Sequence, residues 1–134
     1  MNNIQFATAI HILTMLARTG ETLSSAYIAG SININAAMVR KSLGTLAAQG
    51  LIVTQEGKGG GSSLGKSATK IMLSDIYRAV NENALLGKLN QPNAECNTGK
   101  QINRHLQKLY KNADEAIISE LKKISLADFC KSFK

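Results

Sequence analysis

The chain has 134 residues, enough for one domain or for one domain with an added dimerisation element. A hydrophobic fraction of 44%, only 4% aromatics, no tryptophan and one proline favour a core of Leu, Ile, Ala and Met in helices over a β-sandwich. Two cysteines exclude a disulfide framework, and the net charge of +7 is compatible with a polyanionic partner, although charge alone does not separate a nucleic-acid binder from a merely basic soluble protein.

The apolar run near the start has no basic residue before it and no small-residue cleavage site after it, and it contains His11 and Thr14. Neither a signal peptide nor a membrane span is expected, and both thiols suit a reducing cytoplasm. Phe6, Ile10, Leu13 and Ala17 recur at helical spacing, widened by Ile12 and Leu16, which predicts a first buried helix over 3–18, stopped by Gly20. Ser24 and Ser25 offer caps for a short helix with Ala26, Ile28 and Ala29 inward, followed by a tight turn over 30–33. A third helix over 35–48 is capped by Asn33 or Asn35 and points Val39, Leu43, Leu46 and Ala47 inward, with Gly50 at its end.

Leu51 to Thr54 is a short β-branched run and is expected as a strand. Gly57, Gly59, Gly60 and Gly61 give a flexible tip, and Ser62 to Leu64 return as a second strand. A helix–turn–helix followed at once by a glycine-tipped hairpin is the winged-helix order. Another helix is predicted over 73–82, with Ser74 as its N-cap and Ile76, Ala79 and Val80 on one side. Residues 83–98 carry no regular pattern. Beyond them Ile102, Leu106, Leu109, Ala113, Ile117, Leu121 and Ile124 follow steps of three and four, a coiled-coil-like seam suited to dimerisation. A short helix from Leu126 closes the chain. The fold class is therefore mainly α with a small β-hairpin wing. It divides into a winged helix-turn-helix unit (1–82), an irregular effector or sensor loop (83–98), and a dimerisation helix with a closing helix (99–134).

In a helix–turn–helix the second helix presents its N-terminal, solvent-facing residues to base edges in the major groove. The candidate contacts to double-stranded DNA are Ser24, Ser25, Asn35, Ala36, Ala37, Arg40 and Lys41, with Lys58, Gly59, Gly60 and Gly61 from the wing. Arg40 can donate a fork to guanine, and Asn35 can pair with adenine or cap its helix. Alone, Arg40 and Lys41 would read as a solvated face; the hairpin directly behind them tips the balance to DNA. Lys58 and Lys66 are candidates for phosphate contact.

Residues 60–67, GGSSLGKS, also satisfy the Walker A expression, which works only where a strand runs into a glycine loop that opens a helix. The predicted strand across its interior argues against nucleotide binding, which stands as a minor alternative. Cys96, Cys130, His11 and His105 show no CxxC or HxxxH spacing, so no metal site is expected, and Cys96 is a candidate redox thiol because Lys100 lies near it in sequence. No catalytic set stands out; Asp75 and Asp128 suit helix starts.

Several stretches together resemble the Rrf-type winged helix-turn-helix regulators, the family that includes IscR, NsrR and CymR. They are FATAIHIL from Phe6, Ile28-Ala29, LAAQGLI from Leu46, the wing EGKGGGSSLG from Glu56, IMLSDIYRAV from Ile71, and SLADF from Ser125. The resemblance implies a homodimeric regulator of operator DNA joined through a long C-terminal helix. Many relatives hold an iron–sulfur cluster on three cysteines between wing and dimer helix. Only Cys96 lies there in this chain, so no cofactor is expected. The family's wing often begins with arginine and has a tyrosine after the glycines, where this chain has Glu56 and Ser62, and Arg40 stands where relatives use an acidic reader. A repressor binding a palindromic operator is the expected function, and an enzyme is not. The alternative is a regulator controlled through a protein partner docked on residues 83–98; that segment could equally receive a small-molecule effector.

Overall fold

The computed structural model describes residues 4–81 and 85–134. Residue 3 of the predicted first helix, Glu82 of the predicted helix over 73–82, and residues 83 and 84 of the irregular segment lie outside the described residues. Helix α1 (Gln5–Thr19) buries Ala9, Ile12, Leu13 and Leu16, so its core stripe is centred one position away from the predicted Phe6, Ile10 and Ala17, which are half-buried at its flanks. Gly20 closes it with φ 67°, its N–H donating to the Leu16 carbonyl at 3.0 Å.

Helix α2 (Ser25–Ile32) starts at Ser24, whose hydroxyl accepts from the Tyr27 N–H at 3.1 Å. It does not break at Gly30 as expected. The turn is concentrated in Asn33, which takes the left-handed conformation (φ 64°) and returns its N–H to Ala29. Ala26, expected inward, is exposed, because so short a helix buries only Ile28 and Ala29. Helix α3 (Ala36–Ala48) is capped by Asn35, whose side-chain oxygen accepts from the Ala37 N–H at 2.7 Å. The two candidate caps are thus separated: Asn33 ends one helix and Asn35 begins the next. Val39, Leu43 and Leu46 carry α3 onto α1.

Strands β1 (Ile52–Gln55) and β2 (Gly61–Leu64) pair antiparallel, Ile52 opposite Leu64 and Gln55 opposite Gly61. The interior of GGSSLGKS is therefore a strand, followed by a single 3₁₀ turn (Ala68–Lys70), and no phosphate-cradling loop opens a helix there. Helix α4 (Leu73–Val80) begins at the expected residue, but its cap position is Met72. Ser74 is buried inside its first turn rather than capping it, and the Asp75 carboxylate accepts from the Met72 N–H at 2.9 Å.

Helix α5 (Asn97–Leu121) has no fully buried residue. After it, α6 (Leu126–Cys130) opens with a reciprocal pair: the Ser125 hydroxyl accepts from the Asp128 N–H at 2.9 Å, and the Asp128 carboxylate accepts from the Ser125 N–H at 3.1 Å. Backbone bonds from Leu126 to Ile71 (2.7 Å) and from Leu73 to Ile124 (2.9 Å) stitch the chain's end to the start of α4. Leu126 is completely buried, so the closing segment belongs to the same core as α1, α3 and α4.

Candidate nucleic-acid interface

The exposed face of α3 carries Ala37, the adjacent pair Arg40 and Lys41, and Gly44, spaced by about one turn, opposite the buried Val39, Leu43 and Leu46. Gly44 has open space where a Cβ would stand, so packing does not demand a glycine there. Two adjacent cations flanked by two small residues leave a slim, positive helix surface. Among the described residues the ion pairs are Lys111–Glu115, Lys123–Glu120 and Lys131–Asp128, all on α5, α6 or their ends. Arg40, Lys41 and Lys58 thus have no carboxylate partner among the described residues, which keeps their charge available to an external anion.

The wing is positioned by a third, very short strand contact. Leu23, just before α2, donates to the Ser62 carbonyl at 2.9 Å and accepts from the Ser62 N–H at 2.8 Å. Ser24 is the next residue, so the hairpin is anchored directly to the N-terminus of α2. Gly61 sits at φ 151°, and a Cβ there would run into the Leu23 carbonyl; one on Gly60 would strike the Gln55 carbonyl. These two glycines, expected only as flexible tip, are required by close backbone approach.

The predicted contact residues fall into two groups. Ser24, Asn35, Ala37, Arg40, Lys41, Lys58 and Gly59 are exposed, and Ser25 and Ala36 are half-buried in the first turns of α2 and α3. Gly60 and Gly61 are turned inward, Gly60 donating to Gly57 at 3.0 Å and Gly61 beginning β2. Lys66 lies at the base of the hairpin, beyond β2, and so is separated from the tip that carries Lys58. Sequence reasoning passed over two large exposed side chains, Tyr27 on α2 (59% exposed) and Met38 on α3 (44% exposed). Their signal was present: each sits in the first turn of its helix, off the buried stripe.

On α5 the two halves of the apolar seam differ. Leu121, with the following Ile124, packs against the chain's own core, whereas Ile102 and Leu109 remain exposed, at 38% and 55%. Leu106, Ala113 and Ile117 are half-buried. Residues 85–96 have no helix or strand and are tied to α5 by Leu85 N–H to Asp114 (3.4 Å), Tyr110 hydroxyl to the Leu86 carbonyl (3.3 Å) and the Asn103 amide to the Asn90 carbonyl (2.8 Å). Cys96 is exposed and caps α5, its Sγ accepting from the Gly99 N–H at 3.3 Å. Cys130 is half-buried; burial pushes its thiol pKa up, against the lowering influence of the Arg18 charge.

The family model described as "Rrf2: Iron-dependent Transcriptional regulator" matches residues 3–132. The chain belongs to the Rrf2 family of transcriptional regulators. A similar sequence is YwnA of Bacillus subtilis (strain 168), assigned as an HTH-type transcriptional regulator, 34% identical over 129 residues that cover 96% of each chain. Among solved structures, a protein assigned to DNA binding superposes with a TM-score of 0.75 at 32% identity, over 93% of this chain and 97% of that one. The B. subtilis global cysteine regulator CymR superposes with a TM-score of 0.72 over 100% of this chain and 98% of its own, at 18% identity, a likeness of fold. The mainly helical architecture with a hairpin wing and a long C-terminal helix is therefore that of the Rrf2 regulators.

The family's iron finds a poor donor set in this Rrf2 chain. Its two thiols are Cys96 and Cys130, the first engaged as a helix cap and the second set against α1. Among the described residues no three His, Cys, Asp or Glu side chains are placed to hold a metal ion. Iron–sulfur clusters are held by four thiolates, or by thiolates and imidazoles together, converging on one place. Among the described residues, no helix is long and apolar enough to cross a membrane.

Proposed function

We propose that this Rrf2 regulator is a homodimeric repressor of a palindromic operator, working without an iron–sulfur cluster. The observation that carries the reading is the acid-free exposed face of α3, Ala37 to Gly44, flanked by a wing anchored to the start of α2 through Leu23 and Ser62. In this reading α3 enters the major groove, Arg40 donates its fork to a guanine, and Lys41 and Lys58 meet phosphates. Ser24 and Ser25, at the N-terminus of α2, suit backbone phosphates as well. The exposed seam residues Ile102 and Leu109, with Leu106 and Ala113, would pack on a second copy and set two α3 helices against successive major grooves. Cys96, exposed at a helix cap, is the thiol through which oxidation would reach this assembly.

Fluorescence anisotropy against labelled fragments of the organism's own genome tests the reading. Affinity should fall steeply as salt rises, because phosphate neutralisation releases counterions. Arg40→Ala should cost about 1–3 kcal/mol on the best fragment and relax base preference there. Salt-independent binding, or equal weakening by Arg40→Ala on every fragment, would defeat the assignment.

A further inference from the structure

The first half of α5 has two unlike faces. Ile102, Leu106, Leu109 and Ala113 form its apolar seam, and Lys100, Arg104, Lys108 and Lys111, all exposed, stand on the opposite side. Steps of four, four and three keep these cations in one row, and at 1.5 Å of rise per residue the row is about 16 Å long. No acidic residue occurs from Cys96 to Ala113; Glu95 and Asp114 bound the stretch. Among the described residues only Lys111 of the four has a carboxylate partner, Glu115, in a loose pair at 4.0 Å. Like charges four residues apart weaken a helix slightly, so the row brings α5 itself no stability.

The residues around the row decide what kind of anion fits it. Its neighbours on that side are Asn97, Gln101 and Gln107, all exposed, with no large apolar side chain among them. Protein interfaces are built around aromatic and aliphatic anchors, and lysine is depleted in them. A sugar–phosphate backbone is held by Lys, Arg, Asn and Gln without such anchors. Along about 16 Å of duplex axis one strand presents roughly five phosphates, enough to meet every cation of the row. A second copy packed on the seam leaves this face open, because the two lie on opposite sides of the helix.

We propose that the outer face of α5 is a second DNA surface, which holds the phosphates of duplex outside the stretch met by α3 and the wing. Contact of this kind carries no base preference; it adds affinity and salt dependence to whatever sequence α3 selects. It does not depend on α3 entering a groove.

The test compares two triple variants of the full chain that lose equal charge. Lys100→Gln/Arg104→Gln/Lys108→Gln empties the row, and Lys123→Gln/Lys131→Gln/Lys134→Gln removes exposed cations beyond the end of α5. Glutamine matches lysine and arginine in helix propensity, so both should fold, and sedimentation should show the same assembly as the unmodified protein. Anisotropy is read on a labelled mixed-sequence duplex of about 40 base pairs across a salt series, where each lost phosphate contact lowers the slope by about one. The row variant should lower the slope by about two to three and weaken binding more than about tenfold near 0.1 M salt, while the control changes the slope by less than about one. Amide NMR should show shifts over 100–111 when duplex is added. Equal effects of the two triple variants, or no shift over 100–111, would overturn the surface. Shifts there that a poly-glutamate peptide produces at lower concentration than duplex would overturn DNA in favour of an acidic protein. Arg40→Ala/Lys41→Ala separates the two readings. If it abolishes binding while the row variant binds normally, α3 stands and the α5 surface falls; if it binds normally while the row variant does not, the α3 reading falls and the α5 surface stands.

Discussion

Replacing Gly61 with alanine isolates what holds the wing in place. At φ 151° an L residue is strained, which costs about 1–3 kcal/mol, and the added methyl would fall on the Leu23 carbonyl group. Relief requires Leu23 and β2 to separate, which breaks the two backbone bonds of 2.9 and 2.8 Å between Leu23 and Ser62, each worth about 0.5–1.5 kcal/mol. The combined cost is about 2–6 kcal/mol, a large share of the roughly 5–15 kcal/mol of a typical domain. Gly59→Ala is the control. Its φ of 80° is also left-handed, but a Cβ there meets nothing within 4 Å, so about 1–2 kcal/mol is expected. Urea unfolding followed by far-ultraviolet circular dichroism gives the stabilities, and anisotropy on the same samples gives DNA affinity. Gly61→Ala should lose stability well beyond Gly59→Ala and should bind DNA more weakly even where it remains folded. Equal stability of Gly61→Ala and the unmodified protein would refute the argument that the wing is anchored at Leu23.

Leu109→Asp should shift the protein from dimer to monomer in sedimentation equilibrium with little loss of helix, because the side chain is 55% exposed on the isolated chain; an unchanged dimer would remove α5 from the interface. Gly44→Ala should stabilise α3 by about 0.5–1 kcal/mol, since no atom opposes the new methyl, while weakening operator binding if the slim face enters a groove. Higher thermal stability with unchanged DNA affinity would assign Gly44 no part in docking. The Asp128 carboxyl is held below its ordinary range by the backbone bond from Ser125 first, then by the Ser125 hydroxyl and Lys131. A depressed folded-state pKa means that its stabilisation is present above the unfolded value, about 3.9, and is lost as pH falls through the folded one. Asp128→Asn should therefore flatten part of the acid limb of a stability–pH profile, and an identical limb in both proteins would contradict the capping pair.

The helical core was legible because its signals are local and redundant. Val39, Leu43 and Leu46 repeat at one helical period, and Asn35 and Gly50 mark ends by their own chemistry. The hairpin was legible for a similar reason, with β-branched residues before a glycine run. Ala26 and Ser74 were misplaced because burial of a short helix depends on neighbours distant in sequence: the start of α4 is tied to the closing segment through Leu126 and Ile71, which no local pattern reveals. The roles of Gly60 and Gly61 were hidden as well. A glycine that avoids a carbonyl cannot be told from a glycine in a loose tip until Leu23 is seen beside Ser62.

Selection of bound molecules from randomised double-stranded DNA tests the central claim most directly. Two α3 helices related by a two-fold axis should enrich an inverted repeat with half-site centres about 10–10.5 base pairs, or a multiple, apart. Enrichment of a single asymmetric site, or of no sequence at all, would contradict a dimer that reads DNA through α3 and the wing.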